Sequence, residues 1–285
     1  MSKKNIFIGL IIVIALVGFL NKNYIISHLP GKFFGVENFK EKTLKISFNK
    51  AATDLSSNNI ELNNLARTAN IYESLVAFND NLKIAPSLAF SWKNVDNLTW
   101  EFKLRKEVYF HDKKSFNANS VKDSFNIAKK QGSDELKNLL STIQEVKVKD
   151  PYLIEIKTKK ADPLLLKKLT KFYIGRSGNI GTGPYKIKKW EKGKSLSLTV
   201  FPDYWSTLPT YKNVELLVIK DIEQQKIQFD KKAVDILVDI PEREAEKFPV
   251  VHHRGGEKLG SSFLMFNISN PIFSKNLSDN LQWMP

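Results

Sequence analysis

The sequence predicts a domain of the α+β or mixed α/β class, on three observations. Segments in which apolar and polar residues alternate recur along the chain, beginning at residues 43–49. Segments with apolar residues at helical spacing lie between them, as at 119–130. Several successive strands are separated only by short turns, which indicates hairpins and argues against a purely parallel sheet.

Turn and capping residues set the limits of these elements. Ser56 or Ser57 would cap the first helix, and Asp162 followed by Pro163 is typical of a helix start. Gly193 would turn a hairpin. In chain order, the predicted strands are 43–49, 82–92, 99–110, 146–148, 153–156, 185–190, 196–201, 214–219, 235–238 and 262–268, and the predicted helices are 56–71, 119–130, one opening at 162–163, and 222–230.

The composition is that of an ordinary globular protein with a basic excess. The 285 residues are 42% hydrophobic and carry a formal net charge of +14. Nearly all of the excess is lysine without a basic stripe, which argues against nucleic acid as a partner but leaves anionic polymers open. The absence of cysteine excludes disulfides, thiolate metal sites and a lipid-modified cysteine.

The N-terminus has the pattern of an export signal or membrane anchor. Lys3 and Lys4 precede an unbroken apolar run over residues 6–20. A helix of that length would measure roughly 22 Å, shorter than the roughly 30 Å hydrocarbon core. Because the run is followed by no cleavage site, we predict an uncleaved hydrophobic helix within residues 1–22 and a tether at 23–42, with the rest of the chain outside the cytoplasmic membrane.

No pattern of catalytic or metal-binding residues emerges from the sequence. The loop Gly181-Thr182-Gly183-Pro184 is not a phosphate loop, because proline lacks the amide donor and an alternating, strand-like segment follows. The adjacent His252 and His253 would point to opposite faces of a strand, and no His-Glu-x-x-His occurs. We therefore expect a protein that is not an enzyme and that has no cofactor.

Three blocks of sequence are more specific than any catalytic motif. In the first block, the aromatic residues alternate with polar ones, which predicts burial in the core of a sheet. The first block contains Ile71-Tyr72-Glu73-Ser74-Leu75, Pro86-Ser87-Leu88-Ala89, Ser91-Trp92, Thr99-Trp100-Glu101-Phe102-Lys103-Leu104-Arg105 and Val108-Tyr109-Phe110-His111-Asp112; the second contains Gly181-Thr182-Gly183-Pro184-Tyr185 and Pro202-Asp203-Tyr204-Trp205; the third is Phe263-Leu264-Met265-Phe266-Asn267.

Together the blocks resemble, over about residues 43–273, the family 5 bacterial extracellular solute-binding proteins of oligopeptide, dipeptide and nickel importers. The resemblance implies a type II periplasmic-binding-protein-like fold, with only the first lobe in this chain. It implies a first-lobe sheet domain from residues 43–60 and 177–270, an inserted subdomain at 61–176 and the start of a second lobe at 271–285. Two departures from the family pattern are Lys113, where the family has glycine, and a shorter stretch between Leu169 and Gly181.

The resemblance also implies a function and the residues for it. The protein would capture a peptide or nickel-containing solute by hinge closure and deliver it to an ABC permease in the membrane. Ile60, Leu62 and Asn63 would border the ligand cleft, and Phe266 and Asn267 would lie near the crossing between lobes. A separate chain supplying the second lobe would be a further partner. The alternative is a degenerate or split remnant that acts as an anchored interaction module without solute binding.

Overall fold

The computed structural model describes residues 43–79, 81–241 and 244. The predicted N-terminal hydrophobic helix, the tether, the strand at 262–268 and the start of a second lobe lie outside these residues. No helix in the described part of the chain is long and apolar enough to cross a membrane. Its thirteen strands and five helices confirm the predicted mixture of both types of element.

The elements are numbered here in chain order. The strands are β1 Thr43–Phe48, β2 Glu73–Ser74, β3 Val76–Phe78, β4 Ile84–Pro86, β5 Ala89–Asn94, β6 Thr99–Leu104, β7 Ile143–Asp150, β8 Leu153–Thr158, β9 Tyr173–Ile174, β10 Tyr185–Glu191, β11 Ser195–Val200, β12 Asn213–Val218 and β13 Ile236–Leu237. The helices are α1 Leu62–Thr68, α2 Ala118–Gln131, α3 Asp134–Leu139, α4 Leu165–Leu169 and α5 Ile222–Asp230.

A mixed five-stranded sheet has the order β10-β11-β12-β1-β13. Strand β1 pairs in parallel with both β12 and β13, and β10 to β12 are antiparallel neighbours. Since β1 lies between β12 and β13, the connection through α5 crosses over it, as parallel strands require. Leu44, Ile46, Leu196 and Leu216 form part of the core of this sheet.

A second, antiparallel sheet has the order β5-β6-β8-β7 and comes entirely from the segment between β1 and β10. Helix α2 packs against β7, and Val121, Phe125 and Ala128 on its buried face join a second core. Asn117 begins this helix with a capping box in which its side chain accepts from the backbone of Ser120. The predicted limits of the sheet domain and inserted subdomain stay a prediction.

The first predicted helix is too long. Helix α1 starts at Leu62, not at Ser56, and neither Ser56 nor Ser57 caps it. The Asp54 carboxylate accepts from the backbone N–H of Ser56 at 2.9 Å, and the Asn59 side chain accepts from that of Glu61 at 3.0 Å. These local turns compete with helix formation, so residues 54–61 form a loop.

Three other predicted limits are wrong. The strand predicted over 99–110 ends at Leu104, because Glu107 has a φ of +58°, outside the range of extended backbone. The strand predicted over 82–92 divides into β4 and β5, which belong to different sheets. The helix predicted to open at Asp162 begins at Leu165: the Asp162 side chain accepts from the N–H of Leu164 as a cap would, but residues 163–164 form a turn before the helix. The hairpins at β5–β6, β7–β8 and β10–β11 are confirmed, with Gly193 at a φ of +80° in the last turn.

Candidate functional site

The first two sequence blocks meet at the buried carboxylate of Glu73. This residue is 6% exposed. The Thr182 hydroxyl and the Trp205 indole N–H donate to its Oε2 at 3.0 and 2.8 Å, and the Tyr204 hydroxyl donates to Oε1 at 2.9 Å. We call Glu73, Thr182, Tyr204 and Trp205 the Glu73 junction; it fixes segments that are more than 100 residues apart in sequence.

The Gly181-Thr182-Gly183 segment approaches the backbone of Ile71 too closely for side chains. A Cβ atom on Gly181 would lie 1.9 Å from the carbonyl oxygen of Ile71, and one on Gly183 would lie 2.4 Å from that of Asn70. The N–H of Gly183 donates to the Ile71 carbonyl at 2.9 Å. The two glycines are therefore needed for contact between backbones, not for phosphate binding.

The His111 side chain also forms hydrogen bonds with the Gly181–Gly183 loop. Its Nδ1 accepts from the N–H of Gly181 at 3.3 Å, and its Nε2 lies 3.0 Å from the carbonyl oxygen of Gly183, which assigns the proton to Nε2. Burial lowers the pKa of His111 below 6.5, and the positive charge of Lys186 adds to this effect, although the Gly183 carbonyl, Glu73 and Asp112 oppose it. His111 is thus a neutral structural residue and not an acid–base group.

The large aromatics of the first block confirm the predicted core role. Tyr72, Phe102 and Phe110 are fully buried, whereas Trp92 and Trp100 are half-buried against the core of the antiparallel sheet. These residues and the Glu73 junction stabilise the fold, and neither indicates where the solute expected from the resemblance would bind.

The carboxyl ends of the parallel strands β1, β12 and β13 provide such a place. In open sheets with parallel strands, ligands bind outside these ends. There the Asn49 side chain, just after β1, donates to the carbonyl oxygen of Asp239, just after β13, at 3.3 Å. The loop of residues 49–61 leaves this edge and leads directly into α1.

Two buried polar residues of α1 fix the shape of this loop. The Asn64 side chain accepts from the backbone N–H of Thr53 at 3.0 Å. Arg67 donates to the carbonyl oxygen of Asn63 at 2.6 Å and to that of Lys50, and its guanidinium lies 3.8 Å from the ring centroid of Phe48. Burial lowers the pKa of Arg67, against the attraction of Asp239.

Sequence reasoning missed both polar residues. Arg67 and Asn64 lie within a helix that reads as an ordinary amphipathic segment, and their partners are backbone carbonyl and amide groups in a loop. The only available signal was the choice of arginine in a lysine-rich chain, since a guanidinium can bond two carbonyl groups at once.

The structure brings three of the five predicted site residues together at the start of α1. Leu62 is 82% exposed, and Asn63 is half-buried with its carbonyl held by Arg67. Ile60 is half-buried and packs against the core of the antiparallel sheet. Phe266 and Asn267 lie outside the described residues, so their predicted role stays a prediction.

The same loop contacts the start of helix α3. The backbone N–H of Ser133, which caps α3, donates to the carbonyl oxygen of Asn58 at 2.9 Å. The loop therefore links the edge of the five-stranded sheet to helix α3. Because Ile60, Leu62 and Asn63 are predicted to border a ligand cleft, we call residues 58–63 the cleft-edge segment. Within the described residues, no group of three or more histidine, cysteine or acidic side chains could hold a metal ion.

Comparison with known proteins identifies relatives of one kind. The profile of bacterial extracellular solute-binding proteins, family 5 (middle region), matches residues 83–277. The nickel-binding protein NikA of Staphylococcus aureus is 26% identical over 225 residues, which are 73% of this chain and 45% of that protein. The oligopeptide-binding protein AppA of Bacillus subtilis is 26% identical over 228 residues, or 71% of this chain and 42% of AppA.

Solved structures agree in fold. The nickel ABC transporter protein of Bacillus halodurans superposes with a TM-score of 0.67 at 26% identity, covering 74% of this chain and 46% of that protein. DppA of Helicobacter pylori, in complex with the peptide STSA, superposes with a TM-score of 0.66 at 23% identity, covering 72% and 48%. The chain thus spans about half the length of the relatives that it matches.

Proposed function

Because this chain belongs to family 5 of the bacterial extracellular solute-binding proteins, we propose that it captures a peptide or a nickel complex for an ABC importer. Its curated relatives include a protein named for nickel binding and one named for oligopeptide binding, so both solute classes enter the proposal. The protein would act outside the cytoplasmic membrane and present its solute to a membrane permease. A second lobe that closes over the solute, in this or another chain, belongs to the same proposal.

The observation that supports the proposal is the position and exposure of the cleft-edge segment. Arg67 joins its Asn63 to Lys50, just after the carboxyl end of the parallel strand β1, where open sheets bind ligands, and Leu62 in it is 82% exposed. Its backbone is fixed by two hydrogen bonds, one from Arg67 to the carbonyl oxygen of Asn63 and one from the N–H of Ser133 to the carbonyl oxygen of Asn58. A rigid main chain with an exposed apolar side chain suits an extended peptide, which binds through main-chain hydrogen bonds and side-chain contacts.

A nickel complex would have to bring most of its own ligands. The described residues offer no cluster of histidine or acidic side chains that could coordinate a bare ion. A small chelator with nickel already bound would instead contact the segment through hydrogen bonds and apolar surface. Ile60, Leu62, Asn63, Phe266 and Asn267 are our proposed contacts for either solute.

Calorimetric titration of the full chain tests this proposal. A mixture of tri- and tetrapeptides, and separately nickel with excess L-histidine, would be titrated into the wild type and into Leu62→Asp. We expect one of the solutes to bind and the substitution to weaken it about tenfold or more, because it places an unpaired charge against the bound solute. The matched control is Leu164→Asp, a leucine 56% exposed at the start of α4.

Two results would overturn the proposal. One is equal affinity in the wild type and in Leu62→Asp. The other is no binding of either solute by a chain whose unfolding is cooperative, with the second lobe added where a separate chain supplies it; that result would favour the alternative of an interaction module without solute binding.

A further inference from the structure

An open groove beside the Glu73 junction shares no residue with the cleft-edge segment. Its volume is about 550 Å³, within the range of sites for small molecules. Phe90, Arg105, Lys106, Tyr109 and Trp205 contribute to its lining. The hydrogen bond to Glu73 explains why Trp205 is fixed, but it does not explain why aromatic and basic side chains lie exposed around Trp205.

Arg105 presents an unused hydrogen-bonding edge to this groove. Its Nε donates to the carbonyl oxygen of Ser87 at 2.6 Å, and its Cζ lies 4.4 Å from the ring centroid of Trp205. Within residues 43–79, 81–241 and 244, neither terminal nitrogen of Arg105 has a hydrogen-bond acceptor. Glu73 attracts Arg105, but both Glu73 oxygens already accept bonds from the junction. Stacking on Trp205 and the Nε hydrogen bond fix the guanidinium, so its two terminal nitrogens can donate two parallel hydrogen bonds to one carboxylate.

The charges around the groove favour an anion. Lys106 contributes to the lining and adds a second positive charge, although its Nζ lies 5.6 Å from the ring centroid of Tyr152 outside the groove. The lining also holds two carboxylates, Glu107 and Asp203, but a third cation, Lys113, lies 3.5 Å from Asp203. The guanidinium fork therefore faces an environment with a small positive excess.

The rim of the groove adds apolar surface. Phe90 is 48% exposed and Tyr109 is 39% exposed, although both rings belong to residue types that usually gain by burial. Aromatic rings next to a cationic fork suit a ligand that has an anionic end and an apolar body.

We propose that this groove binds a small carboxylate that carries an aromatic or apolar group. The carboxylate accepts two hydrogen bonds from the terminal nitrogens of Arg105, with Lys106 nearby. The apolar group lies against Tyr109 and Phe90. This site is additional to the cleft-edge segment and does not depend on the function proposed for it.

Nuclear magnetic resonance titration of the full chain with phenylacetate tests the proposal, read at the indole N–H signal of Trp205. The comparison probe is 2-phenylethanol, which keeps the ring and replaces the carboxylate by a hydroxyl group. We expect saturable shifts with phenylacetate and about tenfold weaker binding of 2-phenylethanol, because charge-assisted bonds to the fork are lost. Arg105→Lys removes the fork but keeps the charge and is expected to weaken phenylacetate binding about fivefold or more.

Matched variants make the test decisive. Tyr109→Ala and Lys106→Gln change exposed side chains and are each expected to weaken phenylacetate binding, whereas Lys130→Ala on the exposed side of α2 leaves it unchanged. Equal binding of the two probes would overturn the proposal, as would unchanged binding in both Tyr109→Ala and Lys106→Gln. Leu62→Asp separates the two proposals, because it should weaken solute capture at the cleft-edge segment and leave phenylacetate binding intact.

Discussion

His111 and Gly181 are joined by two hydrogen bonds that run in opposite directions. The backbone N–H of His111 donates to the Gly181 carbonyl at 2.9 Å, and the N–H of Gly181 donates to Nδ1 of His111 at 3.3 Å. The second bond exists only while the imidazole is neutral, since a protonated ring has no acceptor. This pair couples the antiparallel sheet segment to the glycine loop that precedes β10.

Stability should therefore fall as the solution becomes acidic. Because the pKa of His111 is lower in the folded protein than its ordinary value of 6.5, the unfolded chain binds a proton first. The contribution of His111 is complete above about pH 6.5 and is lost as the pH falls through the folded-state pKa. Urea unfolding between about pH 7.5 and about pH 5 would measure this loss.

The His111→Gln variant is the control for this pH dependence. It retains a polar side chain but has no group that titrates in this range, so its stability should vary less with pH than that of the wild type. An identical pH dependence in the two proteins would contradict the assigned role of His111.

Gly181→Ala should destabilise the protein by about 3 kcal/mol, because the new Cβ would lie 1.9 Å from the Ile71 carbonyl oxygen and force two backbones apart. Chemical denaturation measures the change in the free energy of unfolding. Gly193→Ala is the matched control: its Cβ meets nothing within 4 Å, and only its φ of +80° opposes the substitution. We expect about 1 kcal/mol there, and equal losses at the two sites would show that the close approach is unimportant.

Lys113→Gly should stabilise the protein by about 1 kcal/mol. Lys113 has a φ of +64°, which glycine adopts without strain and other residues do not. The ion pair lost with Asp203 spans 3.5 Å between exposed groups and contributes little. Lys114→Gly, one residue on and not among the residues with positive φ, should instead be neutral or destabilising. A less stable Lys113→Gly variant would refute the assignment of strain to this turn.

Glu73→Ala should cost about 3–5 kcal/mol in the free energy of unfolding, because Thr182, Tyr204 and Trp205 would lose a shared acceptor. Thermal and chemical denaturation measure the loss. Glu101→Ala is the control, since its carboxylate pairs with the exposed Lys93 at 3.0 Å and contributes about 1 kcal/mol or less. Similar losses in the two variants would mean that the junction is not a major source of stability.

Much of the fold could be predicted because its signals are local. Alternation at β1, the helical spacing of α2 and the turn at Gly193 each depend on residues close in sequence, and all three are confirmed. The predicted helix at 56–71 was too long because the side chains of Asp54 and Asn59 accept from backbone N–H groups two residues further on, a competition with the helix that periodicity does not show. At the candidate site, the predicted Ile60, Leu62 and Asn63 adjoin one another, but the support from Arg67 and Asn64 was not visible.

The sequence by itself determined the mixture of elements, the hairpins, the buried aromatics and the resemblance to a solute-binding family, because each depends on residue type and short spacing. Only the tertiary structure decided that Glu73 accepts from Thr182, Tyr204 and Trp205, that Gly181 touches the backbone of Ile71, and that Arg67 holds the loop after β1. Those contacts join groups remote in sequence or depend on exact backbone direction. The hydrogen bonds among them stabilise the fold because buried polar groups need partners. The pattern of residues along the chain does not specify which of these groups the fold brings together.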